Sequence, residues 1–286
     1  MAPSAVFSGI RQRSGEGVEP EEMFLKFKFL GSHGSDLFVK DGPNAQRCRC
    51  TGFLVNDNLM IDAGTMASEL SFDDQIRLQY VLISHLHMDH VKELPPLADN
   101  LADIAKDPLM VASVPSVLKG LRTHLFNDQV FPDFFHLPTL QHPVLKEFPL
   151  VPGQEVWMSG LGVTPVYVNH TVPTLGFIIR DQQSAVVYSG DTYQTEEVWA
   201  LAAKTPNLKA AFIETSFPDE MMAMAQVSKH LTPALLAQEF KKIGKPDLPL
   251  YVYHMKPKFQ GKIVEQLKKY NIPNLTVLEE GQELHI

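Results

Sequence analysis

Short apolar runs that stop at a polar residue recur along this chain. Runs of this length, rich in Val, Ile and Tyr, predict buried strands rather than helices. The five clearest are residues 81–83 before His85, 163–168 before His170, 185–188 before Asp191, 210–213 before Glu214, and 250–253 before His254. Because the carboxyl ends of neighbouring strands in an α/β sheet lie along one edge, we expect the residues that follow the runs to converge on one site.

Helical patterns fill some of the intervals between these runs. Thr232 and Pro233 form an N-cap followed by proline at the first helical position, and Gly244 ends the amphipathic run that follows. Residues 196–204 and 260–270 also predict helices.

Three other segments have patterns of their own. Residues 24–30 alternate between apolar and polar side chains and predict the first strand. Residues 53–62 predict a hairpin with a polar turn. Residues 126–150 are rich in Pro, Phe and His, and they predict an ordered loop long enough to be a lid or a pocket wall.

Length and composition predict one large domain. With 286 residues, of which 44% are hydrophobic, the chain can bury a full core. Residues 1–22 predict a loose tail or an over-extended start, and 23–286 the domain itself. The N-terminus has no apolar core of signal-peptide length, and no apolar stretch reaches the roughly 18 residues that a membrane span needs, so no membrane partner is expected.

The net charge of the chain bears on the kind of partner that it can bind. The formal net charge is −8 and the chain has no basic tract. A protein that grips the phosphate backbone needs positive charge, so we expect no stable nucleic acid partner. A homodimer stays open, because no sequence patch argues for or against one.

The two cysteines, Cys48 and Cys50, lie one residue apart. Such a pair could bind a metal or be redox-active. The simpler interpretation is a strand with one cysteine pointing inward and one outward. Since two close cysteines cannot staple a fold of this length, we predict a reducing compartment, the cytoplasm.

The densest chemistry follows the run at 81–83, where four metal-binding side chains fall within six residues. They are His85, His87, Asp89 and His90, and three of the 11 histidines of the chain are among them. Neutral imidazoles and carboxylates suit zinc, manganese or iron. The sequence therefore predicts a metal site.

The order of the strong residues resembles the metallo-β-lactamase superfamily over residues 23–286. Its pattern is a strand-end Asp, a His-x-His-x-Asp-His string, a later His, a later Asp and a last His. This chain carries them as Asp62, His85, His87, Asp89, His90, His170, Asp191 and His254. The resemblance implies an α/β fold, a four-layer αβ/βα sandwich with two facing sheets and helices outside.

The resemblance also implies two adjacent divalent ions, zinc first, with manganese or iron as alternatives. The first ion would be held by His85, His87 and His170, the second by Asp89, His90 and His254, with Asp191 as the bridge. Seven protein groups exceed what one tetrahedral ion takes, but they suit two ions about 3.5–4 Å apart that share a carboxylate and a hydroxide. Asp62 would orient a ligand imidazole from behind.

Two features of the ligand pattern favour hydrolysis. β-Lactamases of this fold usually carry Cys where this chain has Asp191, and the His-x-His-x-Asp-His string is unaltered.

Two further residues, Glu214 and His230, favour a phosphodiester as the substrate. In the phosphodiesterase branches, a Glu and a His placed like Glu214 and His230 form a relay in which His protonates the leaving oxygen. The alternative is a structural ion pair. We count Asp89 with this pair in the catalytic set.

The chain is most similar to bacterial proteins related to the class II 3′,5′-cyclic nucleotide phosphodiesterases. The segments that carry the similarity are 125–134, 169–177, 213–219 and 254–257. It implies that a hydroxide bridging the metals attacks a cyclic nucleotide, a small-molecule substrate, and yields the 5′-monophosphate. The chain departs from the pattern at Glu93, where Gly is common, and at His33, where small residues are common, so substrate choice could differ.

Weaker expectations concern substrate contacts. Phe131 and Phe134 would offer aromatic surface to the base, Lys256 would face the phosphate, and Thr171 and His33 would line the mouth. The alternative functions are a tRNA 3′-end endonuclease, which usually carries a basic arm that we do not find, and a thioester or lactone hydrolase, which would not need the relay. A non-catalytic scaffold is a further alternative, but no ligand of the pattern is missing.

Overall fold

Two seven-stranded sheets dominate the structure, a computed structural model that describes residues 25–41 and 44–286. The predicted tail over 1–22 lies outside the described residues. In chain order the strands are β1 (Lys26–Gly31), β2 (Leu37–Asp41), β3 (Asn44–Cys48), β4 (Gly52–Val55), β5 (Leu59–Ile61), β6 (Tyr80–Leu82), β7 (Leu109–Ser113), β8 (Pro138–Thr139), β9 (His142–Pro143), β10 (Leu145–Pro149), β11 (Val156–Met158), β12 (Leu161–Val168), β13 (Thr174–Arg180), β14 (Ala185–Tyr188), β15 (Leu208–Glu214), β16 (Leu250–Tyr253), β17 (Leu275–Val277) and β18 (Glu283–His285).

Helices connect and cover the strands. They are α1 (Phe72–Arg77), α2 (Met88–Val91), α3 (Leu94–Leu101), α4 (Pro115–His124), α5 (Glu197–Lys204), α6 (Met222–Ser228), α7 (Pro233–Lys241) and α8 (Gln260–Leu267), with short 3₁₀ turns at Asp219–Met221, Pro257–Phe259 and Lys268–Tyr270. Within the described ranges, none of these helices has the length and apolar character that a membrane crossing requires.

The first sheet has the strand order β10-β7-β6-β5-β4-β1-β18 and the second the order β11-β12-β13-β14-β15-β16-β17. Both are mixed. In the first, β5, β6, β7 and β10 run parallel, while β4, β1 and β18 pair antiparallel. In the second, β11 to β14 pair antiparallel and β14 to β17 parallel.

The two sheets face each other across an aromatic core. The ring of Phe53 in the first sheet lies 5.6 Å from Tyr188 and 5.2 Å from Tyr253 in the second. Strand β15 shows why both faces of the second sheet are apolar: Phe212 points into this core and Ile213 into the layer formed with α5, α7 and α8. Together with α3 and α4 on the first sheet, this is the predicted four-layer αβ/βα sandwich.

The predicted strands and helices are confirmed, with small differences in their ends. Helix α7 begins at Pro233 because the Thr232 hydroxyl accepts a hydrogen bond from Leu235 N at 3.5 Å. The predicted hairpin is β4–β5, and its turn residues Asn56 and Asp57 have φ of 47° and 62°, the left-handed pair that a tight hairpin turn needs.

Three expectations were wrong in part. The strand before His85, β6, belongs to the first sheet, so the five strand ends do not share one edge. Residues 126–150 are not all loop, because β10 pairs with β7. Cys48 and Cys50 are both buried, whereas one was expected to point outward. Side chains two residues apart in extended backbone point to the same face, so the expectation of opposite faces was wrong.

Candidate metal centre

A cluster of imidazoles and carboxylates lies where strand ends of both sheets meet. One set with ligand atoms within 4.8 Å of one another is His85, His87, His170 and Asp191, and a second is Asp89, His90 and His254. The structure therefore brings together all seven residues that the sequence singled out as ligands.

Asp191 lies between the two sets. Its Oδ2 is 3.7 Å from His85 Nε2 and 3.2 Å from the Nε2 atoms of His90 and His254. Gly190, which precedes it, has φ of 60°, and a Cβ there would lie 2.4 Å from Leu175 O. The turn that presents Asp191 thus depends on a glycine.

Neighbouring groups fix which nitrogen several rings present to the cluster. His90 Nδ1 lies 2.8 Å from Asp62 Oδ2 and His170 Nδ1 lies 2.9 Å from Lys229 O. Both partners can only accept, so these Nδ1 atoms carry the proton and donate it. The Nε2 atoms, which face the cluster, are therefore left to bind a metal.

The positions of the nitrogen and oxygen atoms in the cluster suit bound cations. His90 Nε2 lies 3.1 Å from His254 Nε2, and His170 Nε2 lies 3.1 Å from His87 Nδ1. Within the described ranges, buried His85 Nε2 and Asp191 Oδ1 have no hydrogen-bond partner. Nitrogen lone pairs that face one another repel, and buried polar atoms without partners are costly. A cation bound among these atoms would remove both penalties.

Burial favours the ligand form of two imidazoles. It holds the pKa of His85 well below its usual range and lowers that of His170 to about 4. Burial alone would raise the pKa of Asp191, but His254 and His90 outweigh it and hold that pKa well below its usual range. Burial would lower the pKa of His90, but Asp191 and Asp62 outweigh it and raise that pKa well above its usual range, so a bound cation would displace a proton there. The neutral rings of His85 and His170 beside an ionised carboxylate match the donors that divalent transition metals prefer.

Asp62 supports the cluster from behind, where the sequence predicted it. It is fully buried, and its carboxylate accepts hydrogen bonds from Ser84 N at 2.7 Å, Ser84 Oγ at 2.9 Å, His90 Nδ1 at 2.8 Å and Tyr188 OH at 2.8 Å. Its φ of 59° is a conformation that Asp tolerates better than most residues. Asp62 therefore positions both His90 and the start of the His-rich string.

Glu214 and His230 form the predicted pair. His230 Nδ1 lies 2.8 Å from Glu214 Oε1, and the Glu214 carboxylate is fully buried. The His230 ring centroid is 5.0 Å from that of His170 and 5.4 Å from that of His254. Burial lowers the pKa of His230, but the Glu214 carboxylate more than offsets it, and the net pKa is raised. The pair is thus beside the cluster with a ring that takes up a proton readily.

The predicted substrate contacts divide into two groups. Thr171 Oγ1 lies 3.5 Å from His87 Nε2, and Lys256 Nζ lies 3.8 Å from Asp89 Oδ2, so both are at the site. The backbone of His33 bridges to Met255, next to His254, but its ring is buried and bonded to Glu280 at 2.9 Å and to Gln260 at 3.3 Å, so it is not free to contact a substrate.

The expectation for Phe134 is wrong, and the one for Phe131 stays a prediction. Phe134 is buried, and the partly buried Phe131 packs against it at 6.0 Å and against Phe126 at 6.3 Å. Apolar rings in a loop bury one another when they can, so Phe134 offers no open face to a base.

Glu93, a departure from the family pattern, anchors a loop. Its carboxylate accepts hydrogen bonds from Met66 N at 2.7 Å, Ser68 N at 3.0 Å and Ser68 Oγ at 2.7 Å. A glycine there would leave these donors without this partner.

Sequence reasoning missed Ser216, Tyr188 and Lys229. Ser216 Oγ lies within 3.2 Å of Glu214, His230 and His254. A lone hydroxyl, a core tyrosine or a main-chain carbonyl has no distinctive pattern in a sequence. The one feature of the sequence that pointed to Ser216 was its position, two residues after a Glu at the end of a strand.

The fold and this cluster define a metal-dependent hydrolase of the β-lactamase type. A family model described as the beta-lactamase superfamily domain matches residues 57–255. That match spans more than half of the chain, and the chain belongs to this family.

Solved structures share the architecture. The metallo-beta-lactamase fold protein YhfI from Bacillus subtilis is 17% identical with a TM-score of 0.72, covering 92% of this chain and 100% of that one. Unliganded yeast PDE1 is 18% identical with a TM-score of 0.76, covering 92% and 99%. Human tRNase Z, short form, is 17% identical with a TM-score of 0.64, covering 91% and 98%. At such identities the likeness shows the fold. No curated protein matches this chain in sequence.

Proposed function

We propose that this protein is a phosphodiesterase that converts 3′,5′-cyclic nucleotides to 5′-monophosphates with two bound divalent ions, zinc first. The observation that carries the proposal is the buried Glu214–His230 pair beside the His/Asp cluster. The proposed ligands are the seven residues named above. Ions held there would act as Lewis acids on phosphate oxygens and lower the pKa of bound water to about 7.

The pair supplies a general acid. His230 Nδ1 donates to Glu214 Oε1, and Thr192 N and Leu231 N donate to the same carboxylate at 3.1 and 3.3 Å. The carboxylate is therefore held from several sides and fixes the ring. The other nitrogen, Nε2, makes no hydrogen bond to any residue that the structure describes, and it can give its proton to a departing oxygen.

Leaving-group chemistry favours a phosphodiester over a thioester. A ribose alkoxide is strongly basic and leaves slowly unless it is protonated, so a positioned acid speeds the reaction. A thiolate is a much weaker base and leaves without help. A thioester hydrolase would therefore gain little from burying Glu214 against His230.

Charge favours a small substrate. Lys256 and Thr171 are the groups at the mouth that suit a single phosphate, and Lys256 is half-buried beside Asp89. The whole chain carries a net charge of −8, which repels a long polyanion such as tRNA. Yeast PDE1 and human tRNase Z both share the fold at identities of 18% and 17%, so fold alone does not separate the two functions and the charge argument is used for that purpose.

The deciding measurement is turnover of 3′,5′-cyclic AMP to AMP by metal-loaded protein, with His85→Ala as the blank. We expect turnover that is absent in the blank and removed by a chelator. Loaded protein that leaves cyclic AMP and cyclic GMP intact would refute the substrate, and tRNA precursors and thioesters would be tried next.

His230→Ala is the second test. Loss of most cyclic AMP turnover with both ions retained supports the pair as acid and orienting group. Unchanged cyclic AMP turnover would refute that role of His230.

A further inference from the structure

Ser216 is a buried hydroxyl at the junction of the metal cluster and the Glu214–His230 pair. Its Oγ lies 3.2 Å from Glu214 Oε2, 3.2 Å from His230 Nδ1 and 3.0 Å from His254 Nδ1, and the side chain is fully buried. One atom is thus in hydrogen-bond reach of a proposed metal ligand and of both members of the proposed acid pair.

The chemistry of a hydroxyl limits how these contacts can be shared. A serine has one proton to donate and two lone pairs that accept. Glu214 Oε2 and the backbone oxygen of His254, 3.1 Å away, can only accept, so the one Ser216 proton goes to one of these two atoms. In either case His254 Nδ1–H donates to Ser216 Oγ, which leaves His254 Nε2 bare. That Nε2 lies 3.4 Å from Asp89 Oδ2 and 3.2 Å from Asp191 Oδ2, among the other proposed ligand atoms.

We infer that Ser216 is a positioning residue that sets the ligand nitrogen of His254 and the orientation of the Glu214–His230 pair through a single hydroxyl. The second half of this inference rests on the proposed function, because it needs His230 to protonate a leaving oxygen. The first half does not, since it concerns metal binding alone.

The hydroxyl also links the two halves of the site. Strand β15 ends at Glu214 and β16 ends at Tyr253, one residue before His254. The two strands are parallel neighbours, so Ser216 closes the gap between their ends, with a further contact of 3.1 Å to His254 O. Loss of the hydroxyl would free His254 from the pair without removing either.

The first test measures affinity for the second divalent ion in Ser216→Ala, by titration of zinc against a chromophoric chelator. Removal of a group that orients a ligand imidazole weakens metal binding by about 10–100-fold. The matched control is Thr215→Val, which removes a neighbouring buried hydroxyl; among the residues that the structure describes, its Oγ1 bonds to Glu214 O alone, at 2.6 Å. Wild-type affinity in Ser216→Ala, or an equal loss in Thr215→Val, would overturn the inference.

The second test compares two aryl phosphodiesters, one that releases 4-nitrophenolate and one that releases the more basic phenolate. If Ser216 holds the acid pair, kcat in Ser216→Ala falls by about tenfold more on the phenolate ester, which needs protonation. Equal losses on both esters would refute that half of the inference. Because neither ester is a cyclic nucleotide, failure of cyclic AMP as a substrate leaves this comparison intact.

Ser216→Thr keeps the hydroxyl, so it separates the effect of hydrogen bonding from the effect of side-chain size. Restored affinity for the second ion supports the hydroxyl as the cause. A threonine variant as weak as Ser216→Ala would show that the size of the side chain decides, and would count against the inference.

Discussion

Replacement of Asp62 by Asn tests how the fold supports the metal cluster. The change keeps the size of the side chain, removes its charge and turns one acceptor into a donor. Asn tolerates the left-handed backbone, φ 59°, as well as Asp does, so backbone strain does not enter. Any loss therefore comes from the hydrogen bonds of one buried side chain.

The magnitude follows from the geometry. Oδ1 accepts one hydrogen bond, from Ser84 N, and Oδ2 accepts three, from Ser84 Oγ, His90 Nδ1 and Tyr188 OH. An amide accepts on one side only, so at least one buried donor meets an NH₂ group, which costs about 1.5–3 kcal/mol. The other bonds lose charge assistance, about 1 kcal/mol each. Easier burial of an uncharged amide offsets part of this. We expect a net loss of about 2–4 kcal/mol.

The assay is equilibrium unfolding of the metal-free protein in urea, followed by zinc titration of the folded variant. Asp57→Asn is the matched control, because Asp57 is also left-handed, with φ 62°, but half-exposed and paired with Lys26 at 3.2 Å. Its loss should stay below about 1 kcal/mol. Zinc affinity should fall about 10–100-fold in Asp62→Asn alone, since His90 loses its orienting carboxylate. If Asp62→Asn costs no more than Asp57→Asn, the reasoning about buried acceptors is wrong.

Three further changes test the site. Burial opposes but does not cancel the rise in the pKa of His230 caused by Glu214, so Glu214→Gln should lower that pKa. Because an acid works below its pKa, the basic limb of the pH profile of kcat should move to lower pH, and an unmoved limb would exclude His230 as the acid. Gly34→Ala places a methyl 2.8 Å from His254 O and 2.9 Å from its Nδ1, so zinc titration should show about tenfold weaker binding; wild-type binding would contradict the packing argument. Lys256→Met keeps the stem without the ammonium, and steady-state kinetics should show KM raised about fivefold with kcat little changed, whereas an unchanged KM would place Lys256 outside substrate binding.

The elements and the ligands could be predicted because their signals are local. A buried strand carries its apolar pattern in consecutive residues, and His170, Asp191 and His254 follow such strands within a few positions. Strand pairing is not local. Nothing near Val81 shows that β6 pairs with β5 and β7 in the first sheet while β14 to β16 form part of the second, so the site was expected at one sheet edge instead of between two sheets.

The exposure of individual side chains was harder to predict than the identity of the metal-ligand candidates. Phe134 was expected to face a base and His33 to line the mouth, but both side chains are buried. Phe134 packs within its own loop, and His33 packs against Glu280, which is far along the chain. Tertiary packing decides whether a side chain is buried, and the local sequence pattern does not show which distant residue it will contact. The same holds for Lys256, because the sequence alone was equally compatible with an ammonium group in solvent.

The hydrogen bonds behind the cluster show how groups that can only accept decide which nitrogen of a histidine carries the proton. A hydroxyl can donate or accept, so Ser84, whose Oγ lies 2.9 Å from His85 Nδ1, does not by itself decide which nitrogen of His85 carries the proton. Asp62 decides it, because its Oδ2 can only accept and takes the Ser84 proton at 2.9 Å. Ser216 holds the last histidine of the cluster in a similar way, because its one proton goes to Glu214 Oε2 or to His254 O, and both of these atoms can only accept. Asp62 touches His90 but not His85, so loss of Asp62 should disturb metal binding through both rings, through His85 by way of Ser84.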